Sequence, residues 1–268
     1  MPNFRAISPS THGQLRWLRT TSFSFALRDG ILPLGMAEVA KATLSLPLAF
    51  VQREGPTFLP VAVMSLQENC NHFVAPDGRW PHGYIPAATR AYPFRLFAGP
   101  DDQHILAIDE DSGLLSNGPE GETFFDESGS PSAAITTVMQ FLEAHEVGLR
   151  AAKDAAALLA KNGLLKPWDI SVKRESGTQR IAGLFQIDPL ALAQLSGDAL
   201  ATLNAAGGLF LANCQLLSMQ HLSLLGELAS IHAQAERRAA EAKPLASNNS
   251  LDLEFLKSGE TLNFGGFR

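Results

Sequence analysis

The spacing of hydrophobic residues changes near the middle of the chain. In the first half, apolar residues come in short runs separated by turn residues, which is typical of β-strands. This spacing predicts strands at the following positions: 20–27, 48–52, 58–66, 94–98 and 104–109. The turn Arg53-Glu54-Gly55-Pro56 joins the second and third of these into a predicted β-hairpin. Short helices are predicted at 37–46 and from Pro86 to about Arg90.

Helical spacing dominates after residue 131. Ser132 is a good N-cap for a long helix running to about Asn162, and Gly163 suits the position just beyond its end. Asp188-Pro189 is typical of a helix start. Further helices are predicted at 190–195, 197–204 and 207–242, and a second hairpin from 168–174 and 178–186 around Ser176-Gly177. The pattern predicts an α+β fold, with a strand-rich N-terminal half containing β-hairpins and a helix-rich C-terminal half.

A length of 268 residues suits one large domain. We interpret 1–243 as that domain and 112–131, which is rich in Gly, Ser, Pro and Glu, as a long surface loop within it. Residues 244–268 are interpreted as a linker followed by a tail, with terminal strands at 251–255 and 260–264.

Composition excludes several classes of protein. The net charge of −6 gives no overall electrostatic footprint for nucleic acid. No apolar run reaches about 18 residues, the length that indicates a membrane span. The N-terminal residues lack the apolar stretch of a secretion signal, and two cysteines, Cys70 and Cys214, are expected to be reduced thiols. These features predict a cytoplasmic protein.

One segment, residues 71–95, concentrates aromatic residues, arginines and prolines, and it holds both tyrosines of the chain. Arginine beside aromatic rings can hold a carboxylate, a phosphate or a peptide terminus. The same groups can instead fix a loop by stacking and hydrogen bonding. Both interpretations stay open, and under the first the predicted ligand-binding residues are Asn71, Asp77, Arg79, Trp80, Tyr84, Arg90 and Tyr92.

No catalytic motif is present, and the sequence predicts no cofactor, no metal and no catalytic residue. His72, Asp77 and His82 could converge in a folded loop, but their spacing is not that of a metal site. Asp109-Glu110-Asp111 lacks the alternating spacing of a calcium loop and is interpreted as a solvated acidic turn.

The central segment resembles the SapC family of bacterial proteins. The similarity covers most of residues 35–225, and Ala91 replaces the second arginine of the family's Arg-Arg-Tyr-Pro-Phe pattern. The matching motifs are Asn71-x-Phe73-Val74-x-x-Asp77-Gly78-x-Trp80, Tyr84-Ile85-Pro86-Ala87, Arg90-Ala91-Tyr92-Pro93-Phe94, Ile108-Asp109-Glu110-Asp111, Gly121-Glu122-x-x-Phe125-Asp126-x-x-Gly129, Gly163-Leu164-Leu165, Gly183-Leu184-Phe185-x-Ile187-Asp188 and Leu217-Ser218.

The family takes its name from an association with surface-layer systems, and the resemblance implies an association at the level of genes with surface receptors and flavin-type halogenase-like proteins. The peptide-transporter permease of similar name is a different protein, since it requires membrane spans.

Three functional hypotheses follow. The first is a non-enzymatic accessory or ligand- or peptide-binding protein of the SapC type, which recognises an unknown protein or peptide partner through segment 71–95. The second is an enzyme, metal-dependent or not, with its site in the same segment, where His72, His82, Asp77 or Asp109 would transfer protons or ligate a metal. The third is a structural protein associated with the surface layer.

Overall fold

The computed structural model describes residues 2–99, 103–174 and 177–242. The predicted linker and tail at 244–268, residues 100–102 of the predicted turn and Ser176 of the second hairpin lie outside these ranges. The chain separates into two units, Met1–His232 and Ala233–Arg268, and all packing discussed below lies within the first.

Thirteen strands and eight α-helices form within the described ranges, and they confirm the predicted α+β class with strands concentrated in the N-terminal half. The strands are β1 Phe4–Ala6, β2 Arg16–Trp17, β3 Ile31–Pro33, β4 Leu48–Gln52, β5 Phe58–Val63, β6 Phe94–Ala98, β7 His104–Asp109, β8 Leu115–Ser116, β9 Glu122–Thr123, β10 Leu165–Pro167, β11 Ile170–Arg174, β12 Gly177–Ile181 and β13 Leu184–Ile187. The helices are α1 Pro9–His12, α2 Val39–Thr43, α3 Ala87–Arg90, α4 Ala133–Lys161, α5 Pro189–Ala193, α6 Gly197–Ala205, α7 Gly208–Ser218 and α8 Leu222–Ala242.

All the strand pairs are antiparallel. The largest sheet has the order β10-β13-β4-β5-β3, and a three-stranded sheet has the order β1-β7-β6. Short strands form a third sheet, β8-β2-β9, and β11 pairs with β12 as a separate hairpin.

Several predicted elements form as expected from local sequence. The hairpin β4–β5 and the strand pair β6–β7 are present, and α4 begins after the N-cap Ser132, whose hydroxyl accepts a hydrogen bond from the backbone N–H of Ile135. Asp188 caps α5 in the same way, with Pro189 in the first turn.

Other predictions are wrong, and tertiary contacts explain why. The predicted strand at 20–27 is a 3₁₀ turn, Ser24–Ala26, because Phe23 donates its backbone N–H to Gly78 O and serine hydroxyls bond the local backbone instead of a strand. The predicted single helix at 207–242 breaks at Met219–His221. There Ser218 Oγ accepts the backbone N–H of Leu48, so the break is fixed by the adjoining sheet.

Two further boundaries are corrected. Residues 184–187, expected in the second hairpin, form β13 in the large sheet instead. The predicted loop at 112–131 contains β8 and β9, which pair with β2 on its two sides.

No single helix among the described residues is long and apolar enough to cross a membrane. Taken together, the segments Gly197–Ala205 and Gly208–Arg238, which are bent by 87° relative to each other, are long and apolar enough for a span, judged by length and composition alone.

Helix α4 packs against two separate hydrophobic cores. Its C-terminal half contributes Ala155, Ala156 and Leu159 to a core built on the large sheet and α7. Its N-terminal half contributes Ile135 and Leu142 to a second core, which also contains Trp17, Phe94, Ile108 and Phe124. At 1.5 Å per residue the helix is about 43 Å long, so its middle turns lie between the two cores.

A close backbone approach positions the middle of α4. A Cβ atom on Gly35 would lie 3.2 Å from the carbonyl carbon of Gly148, and a Cβ atom on Gly148 would lie 3.4 Å from the Cα atom of Gly35. Two glycines therefore allow the 3₁₀ turn Met36–Glu38 to lie directly on the helix.

We expect Gly148→Leu to lower the free energy of unfolding by about 1–3 kcal/mol, because the new side chain has to separate two packed backbones. Urea denaturation at pH 7 measures the change. Gly226→Leu is the matched control in α8, where a Cβ atom would meet nothing within 4 Å. It should raise stability by up to about 1 kcal/mol through helix propensity. Equal effects of the two substitutions would contradict the packing argument.

Candidate functional site

A buried carboxylate organises the region between the two cores. Glu38 is only 6% exposed. Its Oε2 accepts hydrogen bonds from the Tyr84 hydroxyl at 3.1 Å and from the backbone N–H of Ala87 at 2.7 Å, and its Oε1 accepts from the backbone N–H of Gly35 at 3.0 Å. Burying a carboxylate is costly unless donors replace water. These three donors tie the turn before α2 to the start of α3.

A histidine on α4, His145, lies beside this carboxylate. Its Nδ1 lies 3.8 Å from Glu38 Oε1, beyond hydrogen-bonding distance. Burial lowers the pKa of His145 from its ordinary value, although Glu38 and Glu146 oppose that shift. His145 is therefore neutral at pH 7 and acquires charge only when a further anion or a lower pH favours the imidazolium.

Arg90 extends the network towards the surface. Its Nη2 donates to the Tyr84 hydroxyl at 2.9 Å, and its Nε donates to Ile85 O at 3.0 Å. The guanidinium carbon lies 5.5 Å from the ring centroid of Tyr84 and 5.1 Å from that of Phe141. No carboxylate lies within 4.0 Å of it in the described parts of the chain. Two aromatic rings thus position the guanidinium, and no ion pair neutralises its charge.

The Tyr84 phenol sits in the centre of this chain of bonds. It accepts from Arg90 and donates to Glu38. Burial raises the pKa of Tyr84, and the Glu38 carboxylate raises it further, while Arg90 acts in the opposite direction. The hydroxyl therefore stays protonated and remains a donor.

Two clefts adjoin each other along α4, and Arg90 and Phe141 line both of them. The smaller cleft has a volume of about 250 Å³, and the larger one about 420 Å³. The polar and aromatic residues of the smaller cleft are Glu38, Lys41, Tyr84, Arg90, Phe141 and His145. The larger cleft is mainly apolar and includes Trp17, Arg19, Phe23, Arg90, Tyr92 and Phe141. We refer to the two together as the α4 groove.

Tyr92 forms part of the wall of the larger cleft. Its ring stacks on Phe25 with centroids 3.8 Å apart, and its hydroxyl donates to Asp109 Oδ2 at 3.5 Å. Burial, followed by the charge of Asp109, raises the pKa of the phenol. Asp109 is itself buried and accepts the backbone N–H groups of Asn3 and Asp111. The interpretation of Asp109 as part of a solvated turn is therefore wrong.

Asn71 and Trp80 line neither cleft of the groove. Asn71 is fully buried, where its Nδ2 donates to Ala26 O and its Oδ1 accepts from the backbone N–H of Phe73. Trp80 packs between the rings of Phe23 and Phe73, with centroid distances of 5.8 and 6.0 Å. Both residues stabilise the local conformation of segment 71–95.

Asp77 and Arg79 form an exposed pair. Arg79 Nε donates to Asp77 Oδ2 at 2.7 Å, and the Arg79 backbone N–H donates to Oδ1 at 3.1 Å. These hydrogen bonds lower the pKa of Asp77. An exposed ion pair contributes little to stability, and neither residue lines either cleft.

The structure thus brings three of the seven predicted residues, Tyr84, Arg90 and Tyr92, to the α4 groove. Sequence reasoning did not identify their partners in the groove, which are Trp17, Arg19, Phe23, Glu38, Lys41, Phe141 and His145. One sequence signal could have indicated part of the groove. Phe141, His145 and Gly148 follow one another at spacings of four and three on α4, and residues so spaced share a helix face.

The histidines proposed for metal binding or acid–base chemistry do not assemble. In the ranges that the structure describes, no group of three or more His, Cys, Asp and Glu residues could hold a metal ion. His72 is buried and lies instead beside His232, with ring centroids 5.1 Å apart and His232 Nε2 3.0 Å from His72 O. Because that carbonyl accepts, His232 Nε2 carries the proton. Burial, followed by the charge of His232, lowers the pKa of His72 to about 4.

A family model described as SapC matches residues 7–225 of the chain. The comparison with curated proteins and the comparison with solved structures each find no match.

We expect Glu38→Gln to lower the free energy of unfolding by about 1–3 kcal/mol, because the amide NH₂ group faces an N–H or O–H donor whichever way it is turned. Urea denaturation at pH 7 measures the loss. Glu146→Gln is the matched control on α4, since the Glu146 side chain forms none of the hydrogen bonds of this network and acts on His145 only through its charge. A loss of the same size in both variants would contradict the role given to the Glu38 carboxylate.

The buried His72 should make stability depend on pH. In the unfolded chain its pKa is close to 6.5, whereas in the folded chain it is about 4, so the unfolded chain binds more protons between these values. The contribution of His72 to stability is therefore fully present above pH 6.5 and is lost as the pH drops towards 4. The contribution of His72 is at most roughly 3 kcal/mol at 1.36 kcal/mol per pKa unit.

Urea denaturation at pH 7.5, 6.0 and 5.0 tests this expectation. His72→Leu should show a shallower loss of stability on acidification than the unaltered chain. The exposed His82 serves as the control, and His82→Leu should leave the slope unchanged. An unchanged slope in His72→Leu would show that another group causes the acid sensitivity.

Proposed function

The chain belongs to the SapC family, and from that premise we propose that it is a non-enzymatic accessory protein that binds a protein or peptide partner in the α4 groove. Of segment 71–95, Tyr84, Arg90 and Tyr92 contribute to binding in this proposal. The other four predicted residues keep the segment folded or lie at its surface. The partner's identity within a surface-receptor or halogenase-like system is part of the same proposal.

The observation that carries the proposal is the position of Arg90. Its guanidinium stands between two adjoining clefts, is flanked by the rings of Tyr84 and Phe141, and has no carboxylate partner among the described residues. Arginine and aromatic residues are the side chains that most often dominate binding energy at protein interfaces. The larger cleft, at about 420 Å³, also falls within the usual range for ligand sites.

The bonding of Glu38 supports binding more than catalysis. Its two oxygens already accept three hydrogen bonds, one within its own turn and two that join this turn to the segment around Tyr84 and Ala87. A general base needs an oxygen that can take up a proton from a substrate. Glu38 acts instead as an anchor for the residues that form the groove.

An enzyme remains the second candidate, and one observation favours it. His145 and Glu38 border the smaller cleft together, with Nδ1 and Oε1 3.8 Å apart, and imidazole–carboxylate pairs are common in acid–base catalysis. This candidate uses different residues from those expected from the sequence, His72, His82, Asp77 and Asp109, none of which lines either cleft.

We also propose a cytoplasmic location. Cys214 is a buried free thiol in the larger hydrophobic core, and unpaired thiols are usual in reducing compartments. Cell fractionation tests this proposal, and recovery of the chain mainly in the envelope or the medium would contradict it.

Capture of partners from native cells tests the binding function. We expect a tagged chain to retain a reproducible set of proteins, and Arg90→Gln to reduce their recovery about tenfold or more, as for a central arginine of an interface. Quantitative mass spectrometry of the captured proteins measures the change. Arg79→Gln is the matched control, since Arg79 belongs to the same segment but lines neither cleft. Identical captured sets for all three proteins would contradict the proposal.

A further inference from the structure

The α4 groove has two chemically different ends, and this difference specifies what can fill it. We infer that the bound segment of the partner is an extended peptide that presents a carboxylate close to a bulky apolar side chain. The carboxylate binds at Arg90 and Lys41 in the smaller cleft, and the apolar side chain fills the larger cleft. This inference rests on the proposed binding function and adds the chemistry of the ligand.

The length of the groove fits a peptide. Its lining residues on α4 run from Ala134 to Gly148, a distance of about 21 Å at 1.5 Å per residue. An extended chain covers that distance with about six residues. A single small molecule that filled one cleft would leave the other empty, whereas a peptide can place one group in each.

The larger cleft suits an aromatic or branched aliphatic side chain. Its walls include the rings of Trp17, Phe23, Tyr92 and Phe141. The arginine at its other margin, Arg19, is already paired, with its Nε 2.7 Å from Glu122 Oε1. Burial of apolar surface among aromatic rings is therefore the main source of binding energy at this end.

The smaller cleft favours an anion. Two cations, Lys41 and Arg90, line it, and neither forms an ion pair with any described residue. The one carboxylate of the lining, Glu38, is buried and already accepts three hydrogen bonds. The side chains that line the cleft thus carry a net positive charge when His145 is neutral.

Arg90 still has donors to offer. Its Nε and Nη2 each make one hydrogen bond within the protein, while its Nη1 makes none with the residues that the structure describes. The rings of Tyr84 and Phe141 hold the guanidinium plane in place. A guanidinium fixed in this way suits charge-assisted bonds to a carboxylate, and Lys41 adds a second cation at the same cleft.

The carboxylate can come from an Asp or Glu side chain or from a peptide C-terminus, because both present the same group. Because the two adjoining clefts share a groove of about 21 Å, we expect the apolar side chain within about three residues of the carboxylate. An experiment with both kinds of peptide distinguishes the two sources.

The probe is a library of random hexapeptides displayed on phage, in one pool fused at the peptide C-terminus and in another ending in a free carboxyl group. The full chain selects from both pools. We expect peptides that combine an aromatic or branched apolar residue with an Asp, a Glu or a free C-terminus within about three positions. Enrichment in the first pool indicates a side-chain carboxylate, and enrichment confined to the second indicates a C-terminus.

Synthetic versions of the selected peptides then measure the contribution of each group. Replacing Asp by Asn, Glu by Gln or the free acid by an amide should weaken binding about 10- to 100-fold in fluorescence anisotropy, the affinity change expected for a charge-assisted hydrogen bond. Lys41→Gln and Arg90→Gln should each reduce the preference for the acid over the amide, and Arg79→Gln should not. Lys41 is exposed, so its variant still tests the inference if Arg90→Gln destabilises the fold.

A pair of threonine variants tests the larger cleft. Thr137 is exposed and lines it, whereas the neighbouring exposed Thr136 does not. We expect Thr137→Trp to weaken the selected peptides about tenfold by occupying the cleft, and Thr136→Trp to leave binding unchanged.

Selected peptides without a preference for carboxylate, an acid preference that survives both Lys41→Gln and Arg90→Gln, or no selection from either pool would overturn the inference. The proposed function is tested separately by capture from cells. If capture from cells depends on Arg90 but the selected peptides show no preference for a carboxylate, the binding function stands and only the inferred ligand chemistry is wrong.

Discussion

The hydrogen-bonded carboxylate of Glu38 is the interaction on which the arrangement of the groove depends. It accepts a hydrogen bond from Gly35 on one oxygen and from Tyr84 and Ala87 on the other, so two segments that lie 46 to 49 residues apart in sequence meet at one buried charge. A buried charge requires all its donors, because losing one leaves an unpaired charge in a medium of low dielectric. The hydrogen bond to Glu38 therefore fixes the position of Tyr84, and through Tyr84 that of Arg90. Sequence reasoning did not identify Glu38.

The length of α4 explains why the groove lies where it does. The helix packs on the core of the large sheet at one end and on the aromatic core around Trp17 and Phe94 at the other. Between them its surface is covered by turns and short elements, and one of these turns approaches the helix backbone closely where Gly35 meets Gly148. These segments do not cover the middle turns of α4 completely, and the α4 groove lies in the uncovered part. Side chains of that helix face, including Phe141 and His145, line it.

The central aromatic segment divides its residues between two tasks. Asn71 and the half-buried Trp80 pack against neighbouring parts of the fold, while Tyr84, Arg90 and Tyr92 line the groove. The two interpretations of the segment, structural and functional, therefore both apply, to different residues. Resemblance to the SapC family was readable from the sequence because its motifs combine distinctive residues at many positions, and the family model that matches residues 7–225 confirms it.

Local signals in the sequence determined much of the fold. Short apolar runs bounded by turn residues located β4, β6 and β7, and the capping residues Ser132 and Asp188 located the starts of α4 and α5, because these effects act over a few residues. The same signals could not show that the helix predicted at 207–242 breaks beside β4, or that 20–27 forms a turn against Gly78. They also could not bring Glu38, Arg90 and His145 to one place, since hydrogen bonds and packing between segments about 50 residues or more apart depend on the whole fold. The sequence alone thus determined the class of fold, the family and several candidate residues, and the tertiary structure decided which of them share a site.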